Sequence, residues 1–434
     1  DDGYGWVDED GNRWTFIAYY NHWFVWHSGV VSQAVQALRD AYVFTGDVRY
    51  ARAGLILLDR IADVYPEMDI SAYSTTDYLN SHGGTGKGKI IGSIWETTLV
   101  RDFISAYDAF FEAADDPEVI AFLSDKAEAY GLDVLKTSGT GIRRNIEDGI
   151  LRQIYPGVKN AQIRGNNGMH QTTLALAAVV LDTFPETQEW LDFNFRTGGL
   201  VSGPYRVTGG NINALLVNDV DRDGAGNEAS PEYNNLWLGQ FRELADILDG
   251  YDKYPEADLY KNVKFRSMFY AMYPLLLSDR YFPLIGDAGN AGGPVSYLDK
   301  GLMLKAFEKY RDPVFAQLVY FLNGNQTAGI RGDIFAKNPE QLAQEVEAVI
   351  SAFGPLRLGS VNLTGYGFAA LRDGVNERRF TGITYPFAQL EVREATTGFQ
   401  YYENSGTIQL NAEDGNKRIE FVFEVEKTDV YEIN

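Results

Sequence analysis

The stretch from Val30 to Val64, VVSQAVQALRDAYVFTGDVRYARAGLILLDRIADV, sets the period that most of the chain follows. Val31, Val35, Leu38 and Tyr42 fall on one face at helical spacing. Gly46-Asp47 then turns the chain, and Leu55, Leu58, Ile61 and Ala62 repeat the pattern. The stretch therefore reads as two amphipathic helices joined by a tight turn. Comparable patterns predict helices near 93–113, 117–135, 168–182, 231–248, 256–277, 299–310, 313–323 and 339–353. Paired helices over so long a span predict an α/α toroid or a large bundle. No repeat of fixed period is present, which argues against a regular solenoid. Residues 1–29 are aromatic and irregular, and His22 and His27 stand in that cluster.

After Pro355 the period changes to two. Ala388, Leu390 and Val392 alternate with Gln389, Glu391 and Arg393, and Ile419, Phe421, Phe423 and Val425 alternate with polar residues. An Asp414-Gly415 turn joins the last strand to TIQLNA as a hairpin. The expected organisation is α+β and multidomain. Residues 1–355 form a helical catalytic domain, and residues 356–434 open an antiparallel β-sheet domain. The chain stops on Ile433-Asn434 inside strand-like sequence, so more of that domain is expected beyond it.

Bulk properties narrow the function. With 434 residues, 45% of them hydrophobic and 23% charged, the chain is globular and long enough for more than one core. It has no run of eighteen apolar residues, so no helical membrane span is expected. It opens on Asp1-Asp2-Gly3 with neither Met nor an apolar leader, so it reads as a mature or trimmed chain; a secreted or periplasmic location is expected. Cysteine is absent, which excludes disulfides and thiolate chemistry. A net charge of -22 and a pI near 4.6 speak against nucleic acid or an anionic membrane as partner. An acidic surface also repels a polyanion, so a polyanion site requires a local basic patch. Arg143, Arg144, Arg152, Lys159 and Arg164 are the candidates, although scattered arginines on a solvated helix face would read the same way. The aromatic share is 14%, with 27 Tyr and 7 Trp; such rings stack on the apolar faces of sugars, but they also fill helical cores.

The residues that carry chemistry lie in two short segments. Asn166 to Gln171 reads NNGMHQ, and Asp223 to Tyr233 reads DGAGNEASPEY. An amide, an imidazole and a phenol are the groups needed to remove a proton from a carbon beside a carboxylate, as in elimination on a uronic-acid sugar. Two other motifs are weaker. Asp219, Asp221, Asp223 and Gly224 begin like a calcium loop, but the twelfth position is Ser230 where a bidentate Glu is required. Gly83 to Lys89, GGTGKGK, has the spacing of a phosphate loop, yet Ile90 stands where Ser or Thr should follow. A Gly-Lys loop over a cleft, with His82, Lys87 and Lys89 meeting an anionic sugar, fits that segment better.

Five segments in order resemble the heparinase II/III-like polysaccharide lyases: GSIWETTLVRDFISAYDAF, RGNNGMHQ, DGAGNEASPEYNNLW, YFPLIGDAGN and GYGFAALRDG. The resemblance covers roughly residues 20–375. It implies an α/α toroid followed by an antiparallel β-sandwich and β-elimination on a uronic-acid polymer, with no cofactor required and a metal possible in the absent β portion. Asn166 and Asn167 would neutralise the carboxylate, Tyr233 would be the acid and possibly also the base, and His170 a base or neutraliser. Arg164, His82, Lys87, Trp95, Glu228 and Trp237 would line the substrate. The sequence departs from the family at one place: several members carry Asn-His-Gly where this chain has Asn166-Asn167-Gly168, with His170 following. One helical turn could return His170 to the same face; a histidine on a helix is equally at home in a core.

Alginate is the first-choice polymer, because acidic composition suits a saline, secreted setting. Heparan, hyaluronan or chondroitin is the alternative. A glycoside hydrolase using a carboxylate pair among Glu96, Asp223, Glu228 and Glu232 is a further reading, and a glycan-binding protein without chemistry another. The expected partner is an acidic polysaccharide; oligomeric state is not legible.

Overall fold

In a computed structural model, the described residues are 6–14, 21–27, 29–70, 88–91, 93–132, 134, 136–197, 200–201, 207–208, 212–226, 228–277, 279, 282–286, 297–332, 337–372, 380–383, 389–392, 397–401, 407–411 and 418–422. The fold is mostly helical with small antiparallel sheets. Contacts divide the chain into two compact units. The first comprises Asp1–Ala214 and Glu243–Leu259, the second Leu215–Arg242 and Tyr260–Asn434. The expected limit at 355/356 marks the change from helix to strand and falls inside the second unit.

Helices start where the chain supplies a capping side chain. In the first unit α1 (Val30–Thr45) stops at Gly46, whose left-handed backbone (φ 67°) returns its N–H to Tyr42 O. Asp47 then caps α2 (Val48–Val64) by accepting from Arg49 N at 3.0 Å. These are the two helices predicted from the opening stretch, and they pack on each other and on α3 (Glu96–Phe110). Asp116 caps α4 (Pro117–Tyr130), which Gly131 ends at φ 61°, short of the predicted limit at 135. Ser138 caps α5 (Gly139–Ile146), and α6 (Arg152–Lys159) follows one π-type turn later. Neither was predicted. Next come α7 (Met169–Leu181), which packs on α3, and the short α8 (Glu186–Asp192). The core here includes Leu55, Leu58, Phe103, Phe110, Ile150 and Leu174, each fully buried.

The division between units passes through α9 (Ile212–Asp219) and α10 (Pro231–Leu248), the latter matching its predicted span. In the second unit the predicted helix 256–277 breaks into short 3-10 turns and α11 (Val263–Ala271). Asn262 accepts from Lys264 N and Phe265 N and so restarts the chain, and Pro274 lies in the turn that follows. Asp299 and Asp312 cap α12 (Lys300–Tyr310) and α13 (Pro313–Leu322), and α14 (Gln341–Phe353) packs on α13. Phe265, Phe269, Tyr310 and Phe315 meet edge-on or tilted, with ring centroids 5.2 to 6.3 Å apart.

The strands number in chain order. Two two-residue pairs, β1 (Trp6–Val7) with β2 (Arg13–Trp14) and β3 (Leu200–Val201) with β4 (Val207–Thr208), belong to the first unit. In the second, β5 (Val361–Leu363), β6 (Phe368–Leu371), β7 (Phe380–Ile383) and β8 (Gln389–Val392) form an antiparallel meander. Strands β9 (Thr397–Tyr401), β10 (Thr407–Asn411) and β11 (Arg418–Val422) form a second sheet, whose backbone register pairs Ile408 with Phe421 and Leu410 with Ile419. The β10–β11 pair is the hairpin expected around Asp414-Gly415, whose turn lies outside the described residues. Arg372 ties the first sheet to the helical part of its unit by donating to Pro274 O and Leu276 O.

One buried ion cluster holds the first unit. Lys136 is 3% exposed, and its Nζ lies 2.5 Å from Asp59 and 2.7 Å from Asp63. Asn145 donates to both carboxylates. Burial raises the Asp59 carboxyl above its ordinary range, and the Lys136 ammonium opposes that shift. Lys136→Met would leave two acids uncompensated, and a loss of about 3–5 kcal/mol is expected in urea unfolding at neutral pH. The deficit should shrink as pH falls through the raised Asp59 value, because the folded state then binds the proton more tightly than the unfolded one. A loss of about 1 kcal/mol or less, the worth of a surface pair, would show that the cluster does not stabilise the unit.

Candidate functional site

The NNGMHQ segment forms the N-terminus of α7 in the first unit. Gly168, at φ 95°, makes the turn into the helix. Met169 N–H bonds to Asn166 O at 2.9 Å, and the Thr172 hydroxyl donates to Gly168 O at 2.6 Å. Gln171 reaches back, its Oε1 accepting from Gly168 N–H at 2.8 Å. Asn166 is exposed and Asn167 half-exposed. His170 is buried, at 2% exposure. Its Nδ1 lies 3.1 Å from Gly165 O, which fixes the ring against its own turn. Arg164 is half-exposed and makes no ion pair among the described residues.

Of the other basic residues expected to form a patch, Arg144 is exposed, and Arg143, Arg152 and Lys159 are engaged locally. Arg143 pairs with Asp115 and lies 4.4 Å from the Phe111 ring centroid. Arg152 bonds to Asp148 at 2.8 Å and Glu186 at 3.1 Å, and lies 3.4 Å from Glu147. Lys159 stands over the Tyr155 ring. Lys89, expected to meet a sugar, is 5% exposed and donates to Pro66 O at 2.9 Å over the Tyr65 ring. Desolvation holds its ammonium below the ordinary lysine range. The preceding loop, including His82 and Lys87, lies outside the described residues.

Trp95 is 37% exposed and its ring lies 5.9 Å from that of His27. Nothing is described of the His22 side chain. Glu96 is fully buried, and its carboxylate accepts from Ile90 N–H and Ile91 N–H, so it staples the chain in front of α3. That role leaves it outside any pair of hydrolytic carboxylates.

The second unit builds the DGAGNEASPEY loop around buried polar bonds. Asp221 accepts from Asp223 N–H and Ala225 N–H, and its own N–H bonds to Ala225 O. Gly224 turns the loop at φ 93°, where a Cβ would stand 2.1 Å from Ser267 O. Lys264 Nζ donates to Val220 O at 2.6 Å and Asp221 O at 3.1 Å. Asp223 accepts from Gly365 N–H at 2.5 Å and Tyr366 N–H at 3.1 Å. The calcium-like reading, weak already in the sequence, gains nothing here: backbone amides bond to the carboxylates of Asp221 and Asp223, which an ion would need. The Tyr366 hydroxyl, which burial and the Asp221 charge raise above the usual phenol range, donates to Ala229 O.

Three segments of the resemblance converge here. The Tyr366 turn bonds to the loop, and a Cβ on Gly286 of the IGD segment would lie 3.1 Å from Ser230 N. Asn234 closes the loop, accepting from Gly226 N–H at 2.6 Å and donating to Glu228 O and Ser230 O. Tyr233 and Glu228 are half-exposed, in the first turn of α10 and in the loop before it. Trp237, expected to line substrate, is 4% exposed and packs beneath Gly226 and beside Phe241. Its large apolar ring supports the loop from inside, a place that sequence spacing does not distinguish from a sugar platform. Asn234 and Tyr366, which sequence reasoning missed, are the residues that shape this loop. The Gly365-Tyr366-Gly367 tripeptide was the signal for the second.

No protein-family model matches the chain, and no curated protein matches it. Among solved structures it is similar to heparan sulfate lyase HepC from Pedobacter heparinus, at 16% identity and a TM-score of 0.46, over 94% of this chain and 51% of that one. A mutant of the same lyase aligns at 15% identity and a TM-score of 0.43, again over 94% and 51%. A heparinase III gene product aligns at 16% identity and a TM-score of 0.44, over 94% and 53%. The chain thus spans about half the length of each of these proteins.

If Lys264 is the internal counter-ion of the acidic loop, a chelator leaves the melting temperature unchanged. Lys264→Met should cost about 1–3 kcal/mol, because two partly buried carbonyls lose their donor. A melting temperature that rises on adding calcium to the wild-type chain would contradict this account.

Proposed function

We propose that the chain is a polysaccharide lyase that cleaves a uronic-acid polymer by β-elimination, in an α/α toroid followed by an antiparallel β-sandwich. The observation that carries the reading is the pair of segments just described. Exposed amides and a buried imidazole open α7, and a half-exposed tyrosine opens α10 behind a tightly bonded loop. The reaction removes the proton at C5, forms the C4–C5 double bond, and breaks the bond from C4 to the glycosidic oxygen. Removing that proton adds charge beside a carboxylate that is already negative. Amide donors from Asn166 and Asn167 would stabilise it. Tyr233 would give a proton to the departing oxygen, and Tyr233 or His170 would take the one from C5.

Alginate rests on bulk acidity alone, which does not choose among uronate polymers. Two of the aligned structures are of a heparan sulfate lyase, whose substrate belongs to the glycosaminoglycan alternative, so that class is placed first. A protein active outside the cytoplasm is proposed, with no cofactor needed for the elimination itself.

The test is incubation with heparan sulfate, hyaluronan, chondroitin and alginate while following ultraviolet absorbance from the unsaturated uronide. A rise with one polymer is expected, and Tyr233→Phe should lower kcat by about 10²–10⁴-fold, the usual worth of a general acid or base. Reducing ends without absorbance would point to the hydrolase instead. Wild-type turnover in the tyrosine variant would remove the central residue of the reading.

A further inference from the structure

We propose that the side-chain amide of Gln171 is a further anion-recognising group, which takes a uronate carboxylate through Nε2 at the N-terminus of α7; this rests on the lyase reading for its substrate class. The bond from Gly168 N–H to Oε1 assigns the two ends of the amide and holds it across the first turn. Among the described residues Nε2 has no hydrogen-bond partner, and the residue is 0% exposed. Its backbone is held as well, since Asn194 Nδ2 donates to Gln171 O at 2.9 Å. A donor so fixed and unmatched costs free energy unless an acceptor reaches it.

The electrostatics of the turn favour an anionic acceptor. The helix has no acidic residue in its first turn, the place where Asp and Glu are ordinarily favoured. No Asp or Glu occurs from Arg164 to Leu181, in a chain with a net charge of -22. Asn166 and Asn167 are the more exposed side of this turn and Gln171 its buried side. A carboxylate entering there meets neutral donors and the positive end of a 13-residue helix. Gln171 acts as a positioning residue: it holds the carboxylate and takes no proton.

A purely structural cap needs only Oε1, so the two roles separate in Gln171→Glu, which keeps that acceptor and removes the donor. The probe is glucuronate, with glucose as neutral control, titrated by calorimetry into the full chain. The wild type should bind glucuronate and not glucose. The variant, with its melting temperature unchanged, should bind glucuronate at least ~10-fold more weakly at neutral pH, a difference of ~1.4 kcal/mol. The two proteins should converge as pH falls through the titration of the introduced carboxyl, which burial raises above the usual ~4.3. Equal binding at neutral pH, a gap that persists at low pH, or a wild type that prefers glucose would overturn the inference. Should Gln171→Glu melt early, Gln171→Met removes the donor without adding charge and is read at neutral pH by the same comparison. The lyase reading fails separately: no ultraviolet product from any polymer sinks it while the binding result stands, and equal binding sinks this inference with turnover intact.

Discussion

The loop before Tyr233 depends on one interaction, the donation of the Lys264 ammonium to Val220 O and Asp221 O. Asp219, Asp221 and Asp223 follow one another within five positions, and like charges so close repel. The ammonium supplies the compensating charge from within the chain, while backbone amides satisfy the carboxylates of Asp221 and Asp223. With the loop fixed, Asn234 can bridge Gly226, Glu228 and Ser230, and the first turn of α10 starts at a defined place. Tyr233 inherits its position from that chain of bonds.

Helices were legible in the sequence where a capping residue announces them. Asp47, the Asp116-Pro117 pair and the Asp312-Pro313 pair each mark a start that the structure bears out. The α5 segment was not, because Gly139, Gly141 and two arginines interrupt an apolar face of only Ile142 and Ile146, and α6 was not, because Pro156 and Gly157 stand inside its eight residues. The predicted helix 256–277 fails for a related reason: its apolar residues keep the period, but Asn262 offers an alternative cap and the backbone takes it. The change of period after Pro355 was read correctly as a change from helix to antiparallel strand.

Side-chain fate was less legible than backbone. Lysines and arginines are read from sequence as solvated, yet Lys136 and Lys89 are buried, each with acceptors that come from distant segments. Trp237 and Glu96 illustrate the same limit. A tryptophan beside a motif and a glutamate in a Trp-Glu pair look functional in one dimension. In three they close a loop and staple a helix entrance. By contrast, the exposed Asn166 and half-exposed Asn167 and Tyr233 stand where a solute could reach them.

This distribution of charge bears on how an acidic protein could hold an acidic polymer. Arg143 and Arg152 are bound to carboxylates of their own neighbourhood, so they offer little net attraction to a polyanion. Further lysines or arginines at the α7 entrance would have to remain unpaired among 60 acidic residues. Amides and a helix N-terminus avoid that conflict. They carry no formal charge for a neighbouring carboxylate to neutralise, and their dipoles are oriented before any ligand arrives. Such donors also favour charge that develops during a reaction over charge already present, since they are fixed in direction rather than drawn by the nearest anion. On the proposed lyase reading, an entrance made of Asn166, Asn167 and a buried glutamine would therefore be a physically consistent way to stabilise the extra charge of an enolate-like intermediate on a chain of this composition.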